Sequence, residues 1–114
     1  MELMAFEFAT FVIRNPSYVT KNVRSLSKVR RAMLEYRALH DSCEYSGKTK
    51  NLQVHHIVPV SVAPELAHVQ ANMMVLERNA HLHVAHAGSW TVYVQNMKEI
   101  VQVARIQRTL AAAA

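Results

Sequence analysis

The sequence predicts an α+β fold in which two short strands and a helix are flanked by helical segments at both ends of the chain. Residues 52–60 alternate and are β-branched, which is typical of a strand. Residues 73–76 form a second, shorter apolar run of the same kind. The stretch from Asn79 to about Ala87 has helical character and is followed by Gly88, a residue that commonly ends helices.

The flanking helices are predicted from apolar spacing and end signals. Residues 2–14 repeat apolar side chains at helical spacing until Pro16, because the residue before a proline disfavours the helical region. Residues 25–40 carry a second apolar stripe. Asn96 followed by Glu99 three residues later forms a capping box that opens a final helix.

The whole chain, residues 1–114, is expected to form one domain, since this length supports one modest core but not two. Its apolar content of 51% favours folding over disorder. Residues 1–42 form a helical, basic N-terminal part, residues 43–96 contain the predicted strands and short helix, and residues 97–114 form the C-terminal helix.

No apolar run reaches the roughly 20 residues that a membrane span needs, and the start of the chain lacks the layout of a signal peptide. We therefore expect a soluble, cytoplasmic protein that does not associate with a membrane. Cys43 is the only cysteine, which excludes an internal disulfide and an all-cysteine zinc site.

Histidines supply the strongest functional signal, because six of the seven lie between residues 55 and 86. His55 and His56 are adjacent on the first predicted strand, Asn72 precedes the second strand, and His81 and His86 lie on the predicted short helix. Neutral imidazole is the commonest metal ligand and a common general base near neutral pH. The pattern indicates a metal-assisted hydrolytic site.

The order His55–His56, Asn72, His81 resembles that of the HNH endonucleases, whose core is the ββα-metal or His-Me finger fold. The resemblance covers residues 43–96, about half the chain. It also includes Ser46-Gly47-Lys48 before the first strand, Pro59 after the histidine pair, Leu76 between the asparagine and the helix, and His86-Ala87-Gly88-Ser89-Trp90, which is similar to a His-x-Gly-x-Trp stretch in phage-type members.

The resemblance implies a metal-dependent endonuclease that hydrolyses DNA phosphodiester bonds. His56 would be the general base that takes a proton from the attacking water. Asn72 would hydrogen-bond backbone near the pair and hold the loop that orients His56. His55 and His81 would be metal ligands. Adjacent side chains leave an ideal strand on opposite sides, although a strand end or bulge lets both histidines reach one metal.

The resemblance determines the third ligand and the identity of the metal less fully than it determines the first two ligands. In colicin-type members of the family the third ligand lies one helical turn beyond the second. The resemblance places that position at Ala85, which cannot ligate, so His86 is the preferred third ligand, with His83 as the alternative. One divalent ion is expected. Histidine ligands suit zinc or nickel, while magnesium or manganese often serves in such nucleases.

Many relatives carry four cysteines that hold a structural zinc beside the active site. The matching positions here are Cys43, Ser46, Glu77 and Ala80, so that zinc cannot form. Stability must then come from the flanking apolar helices. Trp90 is interpreted as core packing.

The net charge of +5 is uneven, since seven basic residues between Arg14 and Arg37 are opposed only by Glu35. Such an excess favours a polyanionic partner, here DNA by the resemblance, and a solvated helix face is the alternative. The cations assigned to DNA contact are Lys28, Arg30, Arg31, Lys48, Lys50 and Arg78.

The rival function is a catalytically weak DNA-binding or packaging accessory protein with the same fold. A homodimer, or a phage or host protein partner, stays open, as does a phage origin.

Overall fold

The computed structural model describes residues 23–113, with side chains from residue 27 onward. The predicted helix over residues 2–14 lies outside this range. The described chain is an α+β fold, as expected, with one two-stranded antiparallel sheet and three helices. The elements in chain order are α1 (Val23–Leu39), β1 (Leu52–His56), β2 (Met73–Glu77), α2 (Arg78–Ala80), which continues as a π-helical turn over His81–Ala85, and α3 (Met97–Ala113).

The sheet places the histidine pair at the end of β1. Its register runs without interruption from Leu52 opposite Glu77 to His56 opposite Met73. The prediction that β1 extends to residue 60 was wrong. Beyond one further backbone bond, from Ile57 N–H to Asn72 O at 2.8 Å, the chain leaves the sheet, and Pro59 has no N–H with which to continue a ladder.

Two short 3-10 turns, Pro64–Leu66 and Gln70–Asn72, fold the loop between the strands back on itself. The other boundaries lie close to the predicted ones. Helix α1 begins two residues before the predicted residue 25, and β2 continues one residue past the predicted residue 76. Helix α3 begins directly after Asn96, the predicted cap.

Helices α1 and α3 supply much of the core. Val29 and Met33 of α1 and Met97 and Val101 of α3 are all buried. They belong to one apolar cluster with the buried hairpin residues Leu52, Val54, Val75 and Leu76. Burying such side chains contributes about 1.5–3 kcal/mol each, so both helices stabilise the hairpin.

Hydrogen bonds shape the turn after Cys43 and the turn that leads into α2. The Cys43 thiol is buried, and its sulfur accepts the Ser46 backbone N–H at 3.3 Å. The Glu77 carboxylate accepts the N–H groups of Asn79 at 3.2 Å and Ala80 at 3.0 Å, which caps α2. A carboxylate at a helix start is favourable because it satisfies donors that have no partner within the helix.

A polar centre around Glu44 joins α1, β2 and α3. Its carboxylate accepts the Tyr36 hydroxyl at 2.8 Å and the Val75 backbone N–H at 2.6 Å, and it pairs with Arg105 at 3.4 Å. Burial, and then the hydrogen bond to Glu44, raises the pKa of the Tyr36 phenol well above its usual value. The phenol therefore stays protonated and donates.

Across residues 23–113, no helix has both the length and the apolar character that crossing a membrane requires.

Candidate metal centre

The structure brings together three of the histidines that the sequence pattern singled out. His55 and His81 are fully buried, and His86 is 4% exposed. One ring nitrogen from each lies within 4.8 Å of the others, and the ring centroids are 4.9–5.0 Å apart. Imidazole nitrogens that share a tetrahedral ion at about 2.1 Å are about 3.4 Å apart. Small side-chain movements would therefore let all three contact one ion.

The π-helical turn explains why His86 belongs to the cluster. In an α-helix, residues five apart differ by about 140° in direction, because each residue turns by about 100°. Here the His86 N–H donates to the His81 carbonyl at 3.1 Å, which is the five-residue bond of a π-helix. The wider turn brings the two side chains to one side, whereas His83 lies exposed and outside the cluster.

Outer hydrogen bonds fix the orientation of two of the three rings. His81 donates from Nδ1 to the Gln53 side-chain oxygen at 3.0 Å, and His86 donates from Nδ1 to the Val92 carbonyl at 2.6 Å. A neutral imidazole with its proton on Nδ1 carries its lone pair on Nε2. The nitrogen available to a metal is therefore Nε2 in both rings, and such outer partners are typical of histidine metal sites.

The segment after α2 folds back onto the cluster. Val94 N–H donates to the Ala85 carbonyl at 2.8 Å, which anchors residues 86–94 against the π turn. The half-buried Trp90 ring lies 5.0 Å from both His81 and His86, measured between ring centroids. Trp90 therefore packs directly against the histidine cluster, and its indole shields one side of these rings from solvent.

His56 is held separately from this cluster. Its Nε2 donates to the Ala67 carbonyl at 2.8 Å, and the residue is 3% exposed. The proton on Nε2 leaves the lone pair on Nδ1, the arrangement that a general base needs. The continuous register of β1 contains no bulge, so His55 and His56 leave the strand on opposite sides.

Asn72 makes the backbone hydrogen bonds expected of it. Its side-chain oxygen accepts the Val58 N–H at 2.8 Å, and its amide donates to the Val58 carbonyl at 3.0 Å and the Leu66 carbonyl at 3.4 Å. Leu66 directly precedes Ala67, whose carbonyl holds His56. Asn72 therefore ties both ends of the loop that orients the His56 ring.

The six cations assigned to DNA contact are all exposed. Three of them, Lys28, Arg30 and Arg31, lie on α1, and Lys48, Lys50 and Arg78 lie near the opposite end of the hairpin from His56. Exposure leaves them available to phosphates but does not identify a binding surface.

The donor set indicates which ions the cluster can hold. All three donors are imidazoles, and the group found among the described residues contains no carboxylate. Imidazole suits zinc, nickel or copper, whereas magnesium and manganese prefer oxygen ligands. The residues fit zinc or nickel better than the two harder ions that the sequence left open.

Sequence reasoning missed Gln53 and the Val92 carbonyl. Gln53 lies two residues before His55 on the same strand, and the two-residue period of a strand places both on one face. That signal was present in the sequence. The role of Val92 depends on a carbonyl and on how residues 86–94 fold, so no side-chain pattern could reveal it.

No protein-family model matches the chain, and no curated protein or solved structure is significantly similar to it.

Proposed function

We propose that this protein is a metal-dependent HNH-type endonuclease that hydrolyses DNA phosphodiester bonds. β1, β2 and α2 with its π turn would form the ββα-metal core of such an enzyme. The observation that carries the proposal is the conjunction of His55, His81 and His86 in one buried cluster with an adjacent histidine, His56, whose proton is held on Nε2.

The three clustered histidines would hold one divalent ion. When bound, the ion would supply stabilisation of the negative charge that develops on a phosphate during hydrolysis. The all-imidazole donor set supports zinc or nickel ahead of magnesium or manganese. The outer hydrogen bonds that His81 donates to Gln53 and His86 donates to Val92 support the proposal because they would direct the Nε2 atoms of both rings toward a bound ion.

His56 would act as the general base. Its Nδ1 would take a proton from the water whose oxygen attacks phosphorus, while the bond between phosphorus and the 3′ oxygen breaks and that oxygen takes up a proton from solvent water. The products would be a 5′-phosphate and a 3′-hydroxyl. The Ala67 carbonyl would stabilise the positive charge that the ring then carries, because it accepts the Nε2 proton at 2.8 Å. Asn72 would keep this carbonyl in place through the loop.

One observation favours the rival function, a DNA-binding accessory protein with little activity. His55, His56, His81 and His86 are all at most 4% exposed, and β1 directs His55 and His56 to opposite sides. A buried three-histidine ion would then stabilise the fold, as structural metals do. DNA contact would then fall to the exposed cations, which are Lys28, Arg30, Arg31, Lys48, Lys50 and Arg78.

Nicking of supercoiled plasmid separates the two functions. Chelator-stripped protein is assayed with zinc, nickel, magnesium or manganese in turn, and DNA binding is measured in the same buffers. The nuclease predicts metal-dependent nicking that chelator abolishes. His83→Ala serves as the control, since this exposed histidine lies on the same π turn but outside the cluster. Binding without nicking under every metal would reject the nuclease and favour the accessory protein.

A further inference from the structure

We infer that Gln53 is a positioning residue that holds the proton of His81 on Nδ1 and so directs Nε2 of that ring into the histidine cluster. The inference rests on the proposed function in one respect, the use of this cluster to bind a metal. The orientation of the ring itself can be tested without one.

The position of Gln53 in the sheet supports this role. Gln53 lies on β1 opposite Leu76, two residues before His55, so its side chain shares a face with His55. It is 8% exposed, and its oxygen is 3.0 Å from Nδ1 of the fully buried His81. The two partners are 28 residues apart in the chain, and the hairpin brings them together.

The chemistry of the pair determines the tautomer. A neutral imidazole has one N–H, and an acceptor at Nδ1 places the proton there and the lone pair on Nε2. A buried donor that loses its acceptor costs about 1–3 kcal/mol. The opposite tautomer would lose this hydrogen bond and would also turn the donor toward the other two histidines. Gln53 therefore favours the one arrangement in which His81 can ligate.

Gln53 is also the side chain through which these outer contacts can be varied. His86 is oriented by the Val92 backbone carbonyl, which substitution cannot remove, whereas His81 depends on a side-chain oxygen. Replacing that oxygen changes the orientation of His81 while all three ligands stay present. Loss of such an outer partner typically lowers metal affinity about 10- to 100-fold.

Three substitutions separate orientation from packing. Gln53→Leu removes the acceptor at similar volume, and Gln53→Asn keeps an amide that is one methylene too short to reach His81. Gln53→Glu keeps an oxygen at the original reach and should restore the contact. Gln107→Leu, a change of the same kind at an exposed position of α3, is the matched control.

Two measurements are made on each variant. Nitrogen-15 NMR of the metal-free protein reports which nitrogen of His81 carries the proton. Zinc affinity is then measured by competition with a chelating dye. We expect an Nδ1 proton in the parent, Gln53→Glu and Gln107→Leu, and loss of that preference in Gln53→Leu and Gln53→Asn. The last two variants should bind zinc about 10- to 100-fold more weakly.

The inference is overturned if the parent ring carries its proton on Nε2, or if Gln53→Leu and Gln53→Asn keep the Nδ1 proton and the parental zinc affinity. It is also overturned if Gln53→Glu binds zinc as weakly as Gln53→Leu, because the loss would then reflect packing. A parent protein that binds no zinc, nickel, magnesium or manganese would reject the proposed function. The NMR result would still decide the role of Gln53.

Discussion

Two polar centres within residues 23–113 are built in opposite ways. Around Glu44, a carboxylate receives hydrogen bonds from Tyr36 and Val75 and pairs with Arg105, so its negative charge is compensated within the chain. In the histidine cluster, His81 and His86 direct their protons outward to oxygen acceptors, which leaves the lone pairs facing inward.

The difference shows how the two centres can be told apart by chemistry. At the Glu44 centre, the carboxylate accepts hydrogen bonds from α1, β2 and α3 and so links these three elements. Three imidazoles that each offer one nitrogen within 4.8 Å of the others could hold a cation. The Glu44 centre stabilises the fold, and the histidine cluster is the candidate for chemistry.

The largest expected effect concerns His56, which follows His55 in the sequence but lies outside the histidine cluster. If it is the general base, His56→Ala and His56→Gln should both lower the cleavage rate by about 100- to 10,000-fold. The glutamine keeps a donor for the Ala67 carbonyl and so should preserve stability better than alanine. Rates are measured by plasmid nicking, with DNA affinity and metal content followed on the same samples.

Near-parental cleavage by His56→Gln would reject His56 as the base. Joint loss of cleavage, DNA affinity and metal content in both variants would favour a structural role for this histidine.

The next largest effect should be the stabilisation of the folded protein by a bound metal, which depends on the histidine cluster. A metal that binds only the folded protein at 100 times its dissociation constant stabilises it by about 2.7 kcal/mol. We expect His81→Ala to abolish this gain, because only two of the three ligands remain. Chemical unfolding with and without zinc measures it, and His83→Ala, at an exposed position, should keep the full gain. If zinc stabilises His81→Ala as much as the parent, the ligand assignment is wrong.

The Glu44 centre should show the reverse behaviour. Glu44→Ala leaves the Tyr36 hydroxyl and the Val75 N–H without this acceptor, which should lower the free energy of unfolding by about 1–3 kcal/mol. Tyr36→Phe removes one of these hydrogen bonds and should cost about 0.5–1.5 kcal/mol. Zinc affinity should match that of the parent in both variants. A weakened zinc site in Tyr36→Phe would mean that the two centres are coupled.

The smallest effect is expected at the surface, where neither centre reaches. If Lys28, Arg30 and Arg31 contact phosphates, replacing all three with glutamine should lower the slope of log affinity against log salt by about three. Fluorescence anisotropy with labelled duplex DNA measures this slope. Substituting Lys48, Lys50 and Arg78 in the same way is the matched comparison. An unchanged slope in the first variant and a reduced slope in the second would move the DNA surface to the other end of the hairpin.

Local sequence patterns predicted the helices and strands, because these elements depend mainly on residues that are close together in the chain. Apolar spacing located α1 to within two residues, and the capping signal at Asn96 located the start of α3. The resemblance in the order of the histidine pair, Asn72 and His81 also pointed to His55 and His81, and the lack of a donor at Ala85 pointed to His86; these three histidines cluster in the structure. These signals are strong because helical and strand periods are encoded in the order of apolar and polar residues.

The tertiary structure alone decided the features that join distant parts of the chain. The conformation of the chain just after β1 depends on Asn72, whose side chain hydrogen-bonds the Val58 backbone. The contact between Gln53 and His81 spans 28 residues, and that between Glu44 and Arg105 spans 61. The π turn that brings in His86 likewise overrides the 3.6-residue period from which a helix is predicted. Such contacts depend on how the hairpin and helices pack, so the sequence pattern could select candidate ligands but not the orientation of their rings.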